Sequence, residues 1–296
     1  MTASGYVILE DRGILAIEGP DRASFLQGLV SNDVFKVAPG RAVYAALLSP
    51  QGKFQFDFVM AASGEALLLD CERARLADLA RRLSLFKLRA NVTLADRSEA
   101  LAVAAIVGAD VLRALDLALV AGAARALGEG IVLIDPRLAD MGGRAILPRD
   151  GAESLMRQAG LEPVDRAAYE RLRLSLGLPD GSRDMPVDKA ILLENGFDEL
   201  NGVDWDKGCF MGQELTARTR YRGLVKKRLM PVRIDGETPP PGTEIRQGDR
   251  AVGETRSAQE GLGLALIRLD ALDRPDVPMT AGDATLTPVK PAWARL

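Results

Sequence analysis

The sequence predicts an α+β fold that continues into a small β-barrel at the C-terminus. Strand-like and helix-like segments alternate as far as Leu176, which is typical of α+β sheets. After Leu229 only short β-like runs occur, separated by turn residues, and this pattern is typical of a small barrel. The 296 residues can bury more than one core, so we place a domain boundary near Pro231.

The N-terminal elements carry the first candidate site residue. Periodicity and turn residues predict, in order, a strand at 13–18, a helix opened by Gly19-Pro20-Asp21, and a hairpin with arms at 41–49 and 54–61. Strict alternation in the second arm puts Phe54, Phe56 and Phe58 on one face. Asp57 is therefore expected on the opposite face, away from the aromatic core.

The alternation continues up to a long aperiodic stretch. Strands are predicted at 65–70, 91–95, 101–107, 131–134 and 144–148, and helices at 72–88, 110–121, 152–159 and 166–176. Residues 178–207 lose periodicity and are rich in Gly, Asp and Asn. Loops of that length in a compact domain are usually functional or disordered. Barrel strands are predicted at 251–255 and 262–269.

Histidine is absent from the chain. This excludes His-based nucleophile pairs, His-ligated metals and the commonest general acid or base at neutral pH. Any chemistry must therefore use carboxylates, Cys, Lys, Arg, Tyr or a bound cofactor. Because the formal net charge is only −3, a polyanionic partner would need a local basic patch.

Cysteine usage and the N-terminal residues predict a cytoplasmic protein. Cys71 and Cys209 lie far apart and form no spaced cluster, which indicates a reducing compartment and argues against a zinc site. Residues Met1 to Tyr6 show no basic start followed by an apolar run. No stretch reaches the roughly 20 apolar residues of a membrane helix. We therefore expect neither export, nor a bound metal, nor a membrane partner.

The segment from Asp206 to Arg218 places a cysteine between glycines, before a predicted helix. A thiol at such a position is a candidate reactive group, because the unpaired N–H groups and the macrodipole of a helix start stabilise negative charge, and Lys207 would add to this effect. The alternative is that Cys209 is a buried, inert cysteine, as free cysteines often are. Cys71, which lacks a glycine setting, is expected to be the ordinary buried one.

A basic run overlaps this segment. The stretch from Lys207 to Arg228 contains seven positive residues and a single acidic one, Glu214, so its net charge is 7 − 1 = +6. Such a patch could attract a polyglutamate tail, phosphate or RNA. Alternatively it is a solvated helix face followed by an edge strand whose lysines discourage aggregation. Between Arg218 and Arg228 Tyr221 is the only aromatic residue, which is weak support for base stacking.

The octapeptide Lys207-Gly208-Cys209-Phe210-Met211-Gly212-Gln213-Glu214 resembles the K-G-C-Y-x-G-Q-E signature of the YgfZ family, with Phe210 in the usual Tyr place. Further segments resemble that family too: Phe25-Leu26-Gln27-Gly28, Ser31-Asn32-Asp33-Val34, Leu193-Glu194-Asn195-Gly196 and Arg218-Thr219-Arg220-Tyr221-Arg222-Gly223. The resemblance covers nearly the whole chain, and the octapeptide is highly specific.

The resemblance implies a fold and a function. The fold is T-protein-like (GcvT/YgfZ), a multidomain ring around a central pocket that holds tetrahydrofolate. Residues 1–230 would form two intertwined α+β subdomains, and residues 231–296 the barrel. The implied function is folate-dependent assembly or repair of iron–sulfur clusters in client enzymes, with a link to tRNA modification. Folate and iron–sulfur client or assembly proteins are the implied partners.

An aminomethyltransferase of the glycine cleavage system, the T protein, is the main alternative. Gly52-Lys53-Phe54-Gln55-Phe56-Asp57 resembles the place where T proteins carry their catalytic aspartate, so Asp57 falls on that position. A carboxylate there could stabilise an iminium charge developing beside the folate nitrogen. Against this, the T-protein Glu that grips the pterin is replaced near Arg144-Ala145, and T proteins lack the cysteine signature. Asp57 could equally be a solvent-facing strand residue.

These comparisons select the candidate site residues. Cys209 and Asp57 are the candidate catalytic residues. Candidate folate-binding residues, by family position or spacing, are Asn32, Arg173, Glu194, Lys207, Gln213, Glu214 and Arg218. Helix capping or loop hydrogen bonding is the alternative for four of them: Asn32, Arg173, Glu194 and Gln213. One cysteine cannot hold an iron–sulfur cluster, which normally takes four ligands, so a partner or a second subunit would have to complete any such site. The alternative is that Cys209 acts on a transferred group or in folate chemistry. A non-catalytic RNA-binding module is a second alternative function.

Overall fold

A computed structural model describes residues 4–295, so the first three residues of the N-terminal stretch assessed for export lie outside the description. The chain divides into two compact units. The first unit runs to Leu48 and also contains Gln55–Arg166 and Asn201–Met211. The second unit comprises Ser49–Phe54, Ala167–Leu200 and the chain from Gly212 onward.

Two five-stranded sheets form the first unit. Their strands are β1 (Gly5–Ile8), β2 (Arg12–Glu18), β3 (Val43–Leu48), β4 (Phe54–Ser63), β5 (Ala66–Glu72), β6 (Thr93–Asp96), β7 (Leu101–Val107), β8 (Ala124–Leu127), β9 (Gly130–Ile134) and β10 (Gly143–Pro148). One sheet has the order β1-β7-β10-β9-β8 and the other β3-β4-β5-β2-β6. The helices are α1 (Arg22–Gln27), α2 (Leu76–Ser84), α3 (Ala109–Ala114) and α4 (Ala152–Gln158).

Each sheet covers its own apolar core. In the second sheet, alternate residues such as Ile17, Phe58 and Leu69 pack against Leu26 of α1 and Leu79 of α2. Burial of this one face is what period-two alternation predicts. The opposite faces of β2, β3, β4 and β5 are buried as well, and they carry the polar side chains described below.

The second unit contains the C-terminal barrel. The second unit also includes most of α5 (Arg166–Leu176), together with α6 (Gly181–Asp184) and α7 (Gln213–Tyr221). The barrel strands are β11 (Lys227–Asp235), β12 (Glu244–Gln247), β13 (Arg250–Gln259), β14 (Leu262–Arg268), β15 (Met279–Ala281) and β16 (Ala284–Pro288). They close in the order β11-β14-β13-β12-β15-β16, which confirms the predicted barrel. Pro231 lies within β11, and the domain boundary placed there stays a prediction.

Several elements differ from the sequence predictions. The helix expected at 72–88 begins at Leu76 and ends at Ser84, because β5 continues through Glu72 to pair with Arg12. The helix expected at 110–121 ends at Ala114. Strands β1 and β8 were not predicted, since each has four residues and depends on pairing with a distant or neighbouring strand. Within residues 4–295 no helix is long and apolar enough to cross a bilayer.

The aperiodic stretch at 178–207 is ordered by burial. It contains α6 and a 3₁₀ turn at Leu192–Asn195. Its apolar side chains are irregularly spaced, and among those within the second unit Leu178, Met185, Phe197 and Leu200 are fully buried. Irregular spacing gives no local signal of a packed segment, which is why the sequence predicted only a loop.

Candidate functional site

The first unit holds a cavity of about 470 Å³. This volume lies within the range of ligand pockets, which is roughly 300–1,000 Å³. Both polar and apolar side chains line it: Asn32, Lys36, Arg41, Ala42, Val43, Tyr44, Val120, Ala121, Pro136, Asn201, Val203, Asp204, Trp205 and Asp206. Hydrogen-bonding groups and apolar walls therefore occur together, as a site for a planar heterocycle requires.

Asn32 fixes the wall of this cavity. Its amide nitrogen donates to the carbonyl oxygen of Tyr44 at 2.7 Å and to that of Asn201 at 2.6 Å. The neighbouring Ser31 hydroxyl donates to the carbonyl oxygen of Gly202 at 2.6 Å. Asn201 adopts a left-handed backbone conformation with φ +55°, which costs free energy unless the surroundings enforce it. The predicted ligand residue Asn32 thus holds the segment from Asn201 onward in place.

Tyr44 and Asp57 form a buried pair beside the cavity. The Tyr44 hydroxyl donates to Asp57 Oδ2 at 2.8 Å, and Asp57 is 6% exposed. Burial raises the pKa of Asp57 to about 6, although Arg12 and the Tyr44 hydrogen bond act in the opposite direction. Asp57 does face away from the aromatic core, as expected, but the solvent-facing alternative is wrong because a second layer covers that face.

A buried chain of arginines and aspartates links the two sheets. Arg12 of β2 donates to Asp70 of β5 at 2.6 Å, and Arg144 of β10 donates to the other oxygen of Asp70 at 2.7 Å. Arg144 also contacts Asp135 at 3.3 Å, and Arg137 donates to Asp135 at 2.8 Å. Although burial alone would raise it, the pKa of Asp135 lies well below its usual range because of Arg137 and Arg144.

The sequence did not predict this buried network of arginines and aspartates. Arg144 stood out only as a departure from T proteins. The available signal was the presence of charged residues inside strongly apolar strands. Asp70 follows Leu67-Leu68-Leu69, and Asp135 follows Val132-Leu133-Ile134. Such charges are almost never buried unless they are paired, so they predict a buried network without identifying the partners.

The segment Lys207–Met211 is anchored at both ends on the C-terminus of α1. The Lys207 ammonium donates to the carbonyl oxygens of Gln27 and, at 2.8 Å, Val30. The backbone N–H of Met211 donates to the carbonyl oxygen of Gly28 at 3.0 Å. Carbonyl groups at a helix end lack intrahelical partners, so a cation there is stabilising. Two of the segments that resemble the YgfZ family, the octapeptide and Phe25-Leu26-Gln27-Gly28, therefore meet in space.

Cys209 is presented between these anchors. Phe210 is buried, and the Lys207 ammonium lies 5.1 Å from its ring centre. Gly208 and Gly212 have φ angles of +89° and +78°, the left-handed region that glycine adopts without steric cost. Cys209 itself is exposed, so the alternative of a buried cysteine is wrong for this residue.

Cys71 and Lys207 differ from free side chains in water. Cys71 is buried, as expected, and burial raises its pKa to about 12. Partial burial lowers the pKa of Lys207 to about 8, against the opposing effect of Asp33 and Asp204. The ammonium of Lys207 is held by the carbonyl oxygens of Gln27 and Val30, and the structure gives no contact between it and the Cys209 thiol.

Arg173 is a correction to the predicted folate site. It is fully buried, and its five N–H groups are all engaged. Its partners are the carboxylates of Glu170 and Asp184, the hydroxyl of Ser257 and the carbonyl oxygen of Leu178. No donor remains for a ligand. Arg173 instead joins α5, α6 and β13 within the second unit.

The other predicted binding residues in the second unit lie on two elements. Glu194 is half-buried in the turn at 192–195, and burial raises its pKa while Lys227 and Lys53 act against this. Gln213 begins α7, and Glu214 and Arg218 lie in its first and last turns, where an acid and a base stabilise a helix. No side chain caps the N-terminus of α7, whose N-cap residue is Gly212.

Fewer cations are exposed at the surface than the basic run from Lys207 to Arg228 contains. Arg228 is 4% exposed and donates to Glu199 and to the carbonyl oxygen of Leu193. Lys207 is held by α1. The exposed cations of the run are Arg218, Arg220, Arg222, Lys226 and Lys227.

Two domain families match the chain. Residues 9–121 match the GCVT N-terminal domain, and residues 226–296 match the CAF17 C-terminal beta-barrel domain. Aminomethyltransferase T of the glycine cleavage system from Bartonella henselae superposes with a TM-score of 0.77 over 99% of this chain and 87% of that one, at 16% identity. The protein is therefore of the class that joins a GcvT-like fold to a CAF17-type barrel. The sequence predicted the GcvT-like fold and the C-terminal barrel.

Curated relatives narrow this class to one family. The chain is 33% identical to "Iron-sulfur cluster assembly factor IBA57, mitochondrial" of Mus musculus, with 96% of this chain and 84% of the relative covered. It is 34% identical to the Homo sapiens protein of the same name, with 90% and 78% covered. The chain belongs to the IBA57 family.

The predicted cytoplasmic location is wrong, because these relatives are named mitochondrial. The physical reason is that separated free cysteines indicate a reducing compartment without identifying which one.

Proposed function

We propose that this protein is an iron–sulfur cluster assembly factor that binds a tetrahydrofolate. One observation carries the first part: IBA57 factors named for iron–sulfur cluster assembly align with this chain over 96% and 90% of its length. Partners are then iron–sulfur assembly proteins or client enzymes. The octapeptide around Cys209, which is of the YgfZ type, is the segment that we assign to this role.

Cys209 is the group through which the protein would meet a cluster. Its thiol is exposed, and the loop carrying it is anchored on both sides, so the sulfur is accessible while the backbone is fixed. One thiolate supplies one of the four ligands that a cluster normally takes. The cluster is therefore cargo, and a partner protein supplies the remaining ligands.

The cavity of the first unit is the proposed folate site. Its volume of about 470 Å³ lies within the range of pockets that bind small-molecule ligands and cofactors. Trp205 offers an aromatic wall, and Arg41 offers a cation for the glutamate moiety. Lys36 also lines the cavity, where its ammonium is paired with Asp204. Asn32 contributes by holding this wall in place. Quenching of Trp205 fluorescence by tetrahydrofolate, with Trp293→Phe as the control, tests this assignment.

Aminomethyl transfer is the alternative that Asp57 suggests. The Asp57 carboxylate is directed at the Tyr44 hydroxyl, and Tyr44 stands among the cavity-lining residues while Asp57 does not. A transferase would need that carboxylate at the reacting nitrogen. Turnover with an aminomethylated lipoyl protein that is lost in Asp57→Asn would favour the alternative over our proposal.

Genetic complementation tests the assembly role. Removal of the gene is expected to lower the activity of iron–sulfur enzymes while enzymes without clusters keep theirs. Wild type and Cys71→Ser should restore the activity, and Cys209→Ser should not. Equal restoration by Cys209→Ser would remove Cys209 from the mechanism, and undiminished cluster enzymes in the deletion strain would contradict the assembly role itself.

A further inference from the structure

The connection after α2 presents three large apolar side chains to solvent. Leu85 is 71% exposed, Phe86 36% and Leu88 90%. We call residues 85–89 the α2 tip. Isolated exposed apolar residues are ordinary, but contiguous ones mark interaction sites.

Leu88 adopts a backbone conformation that does not favour its own side chain. Its φ is +44°, in the left-handed region where a residue with a Cβ is strained. Glycine or asparagine is the usual residue at such a position near a helix end. Since Leu88 is almost fully exposed, it gains no compensating burial. The fold of the chain therefore gives no reason for a leucine here.

Cations surround these apolar groups. The stretch from Arg81 to Arg89 contains Arg81, Arg82, Lys87 and Arg89 and no acidic residue, in a chain whose formal net charge is −3. Arg81 pairs with Asp78 at 2.7 Å, one turn back on α2. The α2 tip thus combines outward apolar side chains with local positive charge, which is complementary to an anionic surface with an apolar layer beneath it.

We propose that the α2 tip binds the surface of an anionic lipid bilayer. Leu85, Phe86 and Leu88 enter the boundary between headgroups and acyl chains, while Lys87 and Arg89 contact lipid phosphates. Three side chains from one connection fall far short of the roughly 800 Å² per partner of a stable protein interface. A bilayer needs no such complementary area, because each inserted side chain and each cation contributes separately. The contact is peripheral and needs no membrane-spanning segment, but it departs from the sequence-based expectation of no membrane partner.

Sedimentation with lipid vesicles tests the proposal on the full chain. One vesicle is phosphatidylcholine alone, and the other is phosphatidylcholine mixed with phosphatidylglycerol. Wild type should sediment with the mixed vesicles and not with the neutral ones. Leu85→Ser/Leu88→Gly should bind at least about tenfold more weakly. Lys87→Gln/Arg89→Gln should lose about fivefold per charge removed. The control Leu224→Ser, which alters another exposed leucine, should bind as wild type does.

A thermal melt separates binding from folding. Because Leu88→Gly relieves a strained backbone and removes no buried contact, the variant should melt at the wild-type temperature or above. Equal sedimentation of wild type and the Leu85→Ser/Leu88→Gly variant would overturn the proposal. Failure of wild type to sediment with either vesicle would also overturn it.

Discussion

The Lys207 ammonium donates to the carbonyl oxygen of Val30 at 2.8 Å, although the two residues are 177 positions apart in the sequence. This bond joins the octapeptide that carries Cys209 to the segment after α1. It gives the lysine of the signature a positional role, since it closes the end of a helix and fixes one end of the cysteine loop.

Replacing Lys207 should loosen this loop. Lys207→Met keeps the length of the side chain but leaves two carbonyl groups without their donor, which is expected to lower the free energy of unfolding by about 1–3 kcal/mol. Hydrogen exchange should also accelerate at the Met211 amide, which donates to Gly28. Mass spectrometry of the peptide covering 207–212 measures this. Lys226→Met, at an exposed lysine, is the control, and unchanged exchange in Lys207→Met would refute the anchoring role.

The two thiols should react at very different rates. Cys209 is exposed, whereas Cys71 is buried and burial raises its pKa to about 12. A thiol-specific chromogenic disulfide should therefore modify one thiol per folded chain rapidly, and the second only after denaturation. Cys209→Ser should abolish the fast phase, and Cys71→Ser should leave it intact. A fast phase that survives in Cys209→Ser would show that the assignment is wrong.

Asp57 should make stability depend on pH in a defined window. Its folded pKa of about 6 lies above the ordinary value of 3.8, so between these values the unfolded chain loses the proton first. The stability contributed by the protonated carboxyl is full below about pH 4, falls as pH rises to about 6, and is then constant. Asp57→Asn lacks this loss.

Urea unfolding at several pH values measures the effect. The stability of Asp57→Asn relative to wild type should rise by up to about 3 kcal/mol between pH 4 and pH 7, as expected for a shift of about two pKa units. A relative stability that is flat over this range would show that Asp57 is ionised throughout.

Arg173 should prove to be a stability residue. Arg173→Met would leave Glu170 and Asp184 buried without their cation, which is expected to cost about 3–5 kcal/mol in urea unfolding. Arg171→Met removes the exposed pair with Glu260 and should cost less than about 1 kcal/mol. Similar losses from the two variants would contradict the structural assignment.

Sequence patterns predicted the bounds of regular elements. They failed where contacts with distant segments determine whether a residue is buried. Strand β7 and helix α5 have the predicted bounds, because their periodicity is complete within the element. The face of Asp57 also followed from alternation. Its burial did not, because local alternation cannot show that a second sheet covers that face.

The candidate site shows the same division. The glycines around Cys209 predicted a special loop, and the loop is anchored and exposed. The cavity could not be predicted, because its walls come from residues near 32–44, 120–121, 136 and 201–206, which share no local pattern. Arg173 was selected by family position or spacing, and neither shows whether a cation contacts a ligand or a buried carboxylate.

Calorimetric titration with tetrahydrofolate tests most directly the proposal that this assembly factor binds a folate. Wild type should bind one equivalent, Trp205→Ala should bind at least about tenfold more weakly because an aromatic wall of the cavity is lost, and Cys209→Ala should bind as wild type does. That result would place the folate in the cavity and reserve Cys209 for the cluster. Absence of heat and of saturable binding in wild type would contradict the folate claim, and equal binding by Trp205→Ala would contradict the cavity as its site.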